Sequence, residues 1–126
     1  MTANEQLAGG GQVGAAISNA VVSVMHDYTG RGPTQARTLV GDDIVIVVVH
    51  DSLTTAERHL VEDGERRSVL DMRVSLQRTM RGALTEAVEG LSGRTVSAFM
   101  SANHIEPDLA CEVFMLEAQT APSADG

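Results

Sequence analysis

Ile44-Val-Ile-Val-Val-Val49 is the longest apolar run of this 126-residue chain, and it decides the fold class. All six residues are β-branched, which favours a strand over a helix. Apolar residues occupy both alternating sets of positions. The run therefore predicts a strand covered on both faces, either by helices on each side or by a helix on one side and a partner subunit on the other.

Around this run the pattern predicts two hairpins of antiparallel strands. The first comprises Thr34–Val40 and Asp43–His50, joined at Gly41-Asp42, and the second comprises Val96–Ser101 and Leu109–Glu117. Each hairpin follows a stretch with apolar residues at three- and four-residue steps, which is typical of helices.

Three helices are predicted by this spacing. One runs from Gln12 to Tyr28 and ends at Gly30. A short one is capped by Thr54 or Thr55, with Glu57 placed as a capping-box partner to Thr54. The third covers about residues 65–91, with one apolar stripe of Val69, Met72, Leu76, Met80, Ala83, Leu84, Ala87, Val88 and Leu91. At 1.5 Å per residue it is about 40 Å long, the full width of a domain of this size.

The order α-ββ-α-α-ββ predicts an α+β fold, with a four-stranded antiparallel sheet and helices packed mainly on one face. We expect one domain over residues 12–118, a flexible N-terminal lead over 1–11 and a disordered tail over 119–126.

Composition excludes several function classes. The net charge of −8 argues against a nucleic-acid partner, and all nine basic residues are arginine, so no lysine is present for Schiff-base or Walker-type chemistry. The four histidines lack metal-pair spacing, and no catalytic motif is recognisable. We read the single cysteine, Cys111, as a small core residue, since it alternates with Leu109, Val113 and Met115. No enzyme activity, metal or cofactor is expected.

Two glycines and a proline surround Arg31 in the turn Gly30-Arg31-Gly32-Pro33-Thr34. The turn can bind a phosphate, carboxylate or bicarbonate through Arg31 and exposed backbone N–H groups. It can equally be a helix cap whose arginine pairs with a nearby carboxylate. Arg94 also follows a glycine directly before a strand, so both arginines are expected at one end of the sheet, where they would form a small-anion or nucleotide sensor.

The long helix carries a basic band of Arg66, Arg67, Arg73, Arg78 and Arg81. Solvated charges, or ion pairs with Asp71, Glu86 and Glu89, explain the band as well as an acidic partner or nucleic acid does. Arg73 borders the apolar stripe, so it is expected at an interface or in a buried pair.

Several segments together resemble one bacterial family. They are Gly30–Thr34, Leu53-Thr-Thr-Ala-Glu57, Arg73 with Leu76-Gln77, Gly93-Arg94-x-Val96-x-Ala98-Phe99, and Asp108–Leu116. This pattern is similar to the MpsC-like or YbcI-like family, named after the soluble component of a Na+-translocating membrane-potential-generating system, and it covers about residues 13–117. The resemblance implies an α+β domain linked to membrane systems for cation or inorganic-carbon uptake, and it carries over no catalytic residues.

The favoured hypothesis is a cytoplasmic, non-catalytic accessory module that forms a homodimer and has a possible membrane-protein partner. No signal-like segment and no membrane-length apolar run are present, so direct membrane insertion is not expected. The alternative is the anion or nucleotide sensor, with Arg31, Gly32, Pro33, Thr34, Arg73 and Arg94 as the candidate residues for ligand or partner binding.

Overall fold

The computed structural model describes residues 11–119. The lead predicted for residues 1–11 and the tail predicted for 119–126 therefore lie outside the described residues, apart from Gly11 and Gln119. Three helices and four strands follow in the predicted order: α1 (Gly11–Thr29), β1 (Gln35–Val40), β2 (Ile44–His50), α2 (Thr55–Glu62), α3 (Arg66–Ser92), β3 (Val96–His104) and β4 (Leu109–Leu116).

The four strands form one antiparallel sheet in the order β1-β2-β4-β3. The β-branched strand β2 is therefore central, with Val47 opposite Thr38 on one side and opposite Glu112 on the other. The predicted α+β fold with its two hairpins is confirmed. β3 continues to His104, beyond the predicted end at Ser101.

The helices α1 and α3 cover one face of this sheet. The core between the two layers is almost entirely aliphatic, with one pair of phenylalanine rings, Phe99 and Phe114, whose centroids are 5.1 Å apart. β2 contributes Val45, Val47 and Val49, all with no exposed surface. Burying each such side chain stabilises the fold by about 1.5–3 kcal/mol before the entropy of ordering is subtracted.

The buried stripe of α3 differs from the predicted one. Met72 and Leu91, predicted in the apolar stripe, are 42% and 41% exposed, whereas Arg73 and Gln77 are buried. The helix is rotated about its axis so that these two polar residues, one turn apart, point into the protein. They can do so because each finds a hydrogen-bond partner inside the protein.

The short helix α2 lies at the end of the sheet where β2 stops. Its start is confirmed as a capping box, in which the Thr54 hydroxyl accepts a hydrogen bond from Glu57 N and the Glu57 carboxylate accepts one from Thr54 N. Below it, Leu53, Val69 and Ile105 form a second, smaller apolar cluster. This arrangement brings the turn after β2 against the N-terminal part of α3.

Candidate functional site

The turn Gly30–Thr34 ends α1 and leads into the sheet. Gly30 has φ 78°, and its N–H donates to His26 O at 2.9 Å, as expected of a helix cap. Gly32 lies so close to α1 that an added Cβ would come within 3.3 Å of Val22 and His26 atoms. Pro33 is buried, and exposed Thr34 donates its N–H to His50 O at 3.1 Å. The backbone of this turn therefore serves a structural role.

Arg31 is paired with a carboxylate, as expected if the turn is a helix cap and not an anion-binding loop. Its Nη2 lies 2.9 Å from Asp51 Oδ2, and its Nη1 donates to the carbonyl oxygens of Asp51 and of Leu53, the latter at 3.2 Å. Asp51 is the one non-glycine with positive φ, 59°, between residues 11 and 119. Arg31 therefore holds the strained turn between β2 and α2 in place.

A second arginine joins this turn to the β3–β4 hairpin. Arg58 pairs with Asp51 and lies 3.7 Å from Asp108 Oδ2. The Asp108 carboxylate accepts the N–H groups of Ser52 and Leu53 at 3.2 and 3.1 Å. An open hollow of about 390 Å³ lies beside these residues, and the Asp51 and Asp108 carboxylates on its wall are already bonded within the protein.

Arg94 lies at the other end of the sheet from Arg31, so the expectation that the two share one end is wrong. Three antiparallel pairings separate β1 from β3, so these strands run in opposite directions and begin at opposite ends. Arg94 donates to Asp42 O at 2.9 Å and to Glu117 O at 2.7 Å. The two arginines cannot hold one small anion together.

Arg73 confirms the prediction of a buried pair. Its Nη1 lies 3.3 Å from Glu57 Oε1, and the two side chains are 3% and 1% exposed. Nη2 donates to Ser52 Oγ at 2.8 Å. The basic band of α3 is thus divided, since Arg66, Arg67, Arg78 and Arg81 are exposed while Arg73 points into the protein.

One turn further along α3, a second set of buried polar groups joins the helix to the sheet. Gln77 Nε2 donates to Glu112 Oε1 and to Asn103 Oδ1, both at 3.0 Å, and the Ser101 hydroxyl bonds the other Glu112 oxygen. Burial raises the pKa of Glu112 to about 7, although the hydrogen bonds from Ser101 and Gln77 and the nearby charge of Arg73 oppose this rise.

Sequence reasoning missed Glu112. The signal was present, because it occupies the same alternating set of positions in β4 as Ala110, Phe114 and Leu116, which face the helices. A carboxylate within a buried set of strand positions indicates a polar partner on the layer above.

The opposite face of the sheet is covered by neither α1 nor α3. We call it the open sheet face, formed by the alternate strand residues that point away from the helices, with Ile46, Val48, Met100, Cys111, Val113 and Met115 at its centre. Met100 is 53% exposed. Cys111 lies here and is only partly buried, so its prediction as a core residue is wrong. Its alternation with apolar neighbours is real, but no element among residues 11–119 packs on that side.

The open sheet face is apolar across its centre and polar at one end and one edge. Arg37, on edge strand β1, is its one permanent charge within the described strands, and His50 and His104 lie at one end. A shallow depression of about 170 Å³ beside Cys111 is lined by Val48, Ala102, His104, Leu109, Ala110 and Cys111. Contiguous apolar surface of this kind marks interaction sites in folded proteins.

Two kinds of feature are absent from residues 11–119. No helix there combines the length and the apolar character needed to cross a membrane. Nor do the described residues bring together three His, Cys, Asp or Glu side chains that could hold a metal ion.

Comparison with known proteins identifies a family. The family model described as "Na+-translocating membrane potential-generating system (MpsC)" matches residues 10–118, nearly the whole chain. Comparisons with curated proteins and with solved structures gave no match.

Proposed function

The chain belongs to the MpsC family, and from this premise we propose that it is a non-catalytic accessory module that binds a protein partner in a membrane system for cation or inorganic-carbon uptake. The family name supports the association with a Na+-translocating system that generates a membrane potential. We place the module in the cytoplasm, since its single cysteine demands no oxidising compartment.

The open sheet face carries this proposal. Strands β2, β3 and β4 present alternate apolar side chains there, edge strand β1 adds only Leu39, and neither long helix packs on them. An antiparallel sheet can face water on one side, but that side is then normally polar. Here Val48, Met100 and Val113 occupy it instead, which favours a surface that is covered when the module works.

Three carboxylates near the turn after β2 and under α3 support a structural role. Glu57 on α2 and Glu112 under α3 are buried and bonded within the protein, and the Asp51 carboxylate is bonded by Arg31 and Arg58. None of these three carboxylates lies in an open cleft without a bonding partner. Arg31 and Arg94 lie at opposite ends of the sheet, so the sensor alternative has no shared anion site to rest on.

The test is complementation in the native host. A strain lacking the gene is expected to show a reduced Na+-dependent membrane potential, measured with a potential-sensitive dye during Na+ addition. The wild-type gene should restore the potential, and Met100→Glu should not, because it places a carboxylate on the open sheet face.

Met72→Glu is the matched control, since it makes the same change at a methionine that is 42% exposed on α3, away from the open sheet face. It should restore the potential fully. Immunoblots must show equal amounts of all three proteins. Full restoration by Met100→Glu, or no phenotype in the deletion strain, would overturn the proposal.

A further inference from the structure

We infer that the partner on the open sheet face is a second copy of this chain, packed sheet against sheet in a two-fold symmetric dimer. The inference rests on the proposed function, because it takes the open sheet face to be the binding surface. It goes further by specifying what covers that face and how.

The size of the face suits a dimer. Four strands about 4.8 Å apart, each with about seven paired residues at about 3.3 Å per residue, cover roughly 19 by 23 Å. The projected area is therefore about 440 Å² per copy, and the relief of the side chains adds to the accessible surface. Two copies would bury on the order of 1,000 Å² or more, which reaches the range of specific interfaces.

The distribution of charge also favours a second copy. The chain has a net charge of −8, so most of its surfaces would repel another copy. On the open sheet face, however, the four described strands present no carboxylate, and their one permanent charge is Arg37 at the edge. Two acidic chains can meet through this face without placing carboxylates against each other.

The shape of the face is self-complementary. Met100 protrudes at 53% exposure. On the same face, the depression of about 170 Å³ lies beside Ala102, two residues further along β3, and beside Cys111, the partner of Ala102 on β4. A two-fold axis in the plane between the sheets can place each Met100 in the depression of the other copy, since contacts in such an interface are reciprocal. Sheets packed in this way lie about 10 Å apart, with their side chains interdigitating.

The pattern of β2 has the same explanation. Val45, Val47 and Val49 are buried by the helices, while Ile44, Ile46 and Val48 lie on the open sheet face. A second sheet on that side gives both sets an apolar environment. Of the two arrangements that the apolar run of β2 allows, this is the one with a helix on one side and a partner subunit on the other.

The experiment measures the mass of the full chain in solution by light scattering and sedimentation over a dilution series. The wild type should have twice its chain mass of 13.3 kDa. Met100→Glu should weaken dimerisation on the order of 100-fold, because each interface then buries two unpaired carboxylates. The control Met72→Glu should dimerise like the wild type. Circular dichroism checks that all variants are folded, and Ala102→Glu replaces Met100→Glu if the latter does not fold.

Alkylation of Cys111 gives a second readout, since it is the only thiol in the chain. Burial and the neighbouring Glu112 carboxylate already raise the pKa of this thiol, so rates are compared between proteins at one pH. Cys111 should react slowly in the wild-type dimer and faster in Met100→Glu.

A monomeric wild type would overturn the inference. That conclusion would hold whatever the alkylation rate of Cys111. A dimer that survives Met100→Glu and dissociates with Met72→Glu would also overturn it, because the helix layer would then be the interface. The two proposals fail separately. If the wild type is monomeric and Met100→Glu still fails to restore the potential in the host, only the second copy is refuted. If the wild type is a dimer and Met100→Glu is monomeric yet restores the potential, only the proposed function is refuted.

Discussion

Arg73 on α3 and Glu57 on α2 form a buried ion pair, with 3.3 Å between Nη1 and Oε1. The same Glu57 oxygen also accepts the N–H of Thr54 and thus caps α2. One carboxylate therefore fixes the start of the short helix and joins it to the long one. Its other oxygen, Oε2, is buried without a partner among the described residues, and Arg73 is the basic side chain that pairs with this carboxylate.

Replacing Arg73 with Met should lower the free energy of unfolding by about 3–5 kcal/mol, because Glu57 is left as an uncompensated buried charge. The double variant Arg73→Met with Glu57→Gln should recover part of this loss. Urea unfolding followed by circular dichroism measures both effects. A loss below about 1 kcal/mol in the single variant would show that the pair behaves like an exposed one.

The buried Glu112 should make stability depend on pH. Folding raises its pKa from the ordinary value of 4.5 to about 7, so the folded protein binds this proton more tightly than the unfolded chain does. The stabilising contribution of the proton is complete below pH 4.5 and is lost as the pH rises through 7, a change of about 3 kcal/mol.

Glu112→Gln should remove that part of the pH dependence and be more stable than the wild type above pH 7. Unfolding free energies at several pH values test this, with exposed Glu86→Gln as the matched control. Parallel pH profiles for wild type and Glu112→Gln would contradict the prediction.

Arg31 should contribute to stability through the turn that it holds. Arg31→Ala removes three hydrogen bonds to Asp51 and Leu53, and we expect a loss of about 1–2 kcal/mol, since the group is partly exposed. Arg78→Ala, an exposed arginine on α3, should change stability by less than about 0.5 kcal/mol. The midpoints of urea unfolding compare the two. Equal midpoints would mean that the turn does not need Arg31.

Two glycine-to-alanine changes should act in opposite directions. Gly30 has φ 78° with no atom within 4 Å of an added Cβ, so Gly30→Ala adds backbone strain alone and should destabilise the protein by about 1 kcal/mol. Gly82 lies within α3 with equally open space, and Gly82→Ala should stabilise by about 0.4–1 kcal/mol. Thermal unfolding measures both shifts, and shifts of the same sign would contradict the argument.

The elements and caps were predictable because near neighbours set them. The apolar steps of α1 and α3, the Thr54–Glu57 capping box and the β-branched run of β2 each depend on a few consecutive residues. That Arg73 lies either at an interface or in a buried pair was also predictable, since it borders an apolar stripe. The partners of Arg73 and Gln77 were not, because Glu57 and Glu112 lie far from them along the chain.

The sequence by itself determined the α+β class and the order of the elements, and it left Arg73 either at an interface or in a buried pair. Only the tertiary structure decided the strand order β1-β2-β4-β3, and with it the separation of Arg31 from Arg94. It also placed Glu112 under α3 and Cys111 on the open sheet face. The physical reason is that alternation along a strand shows that two faces differ, but not which one the helices cover. That choice is made by contacts between residues distant in sequence.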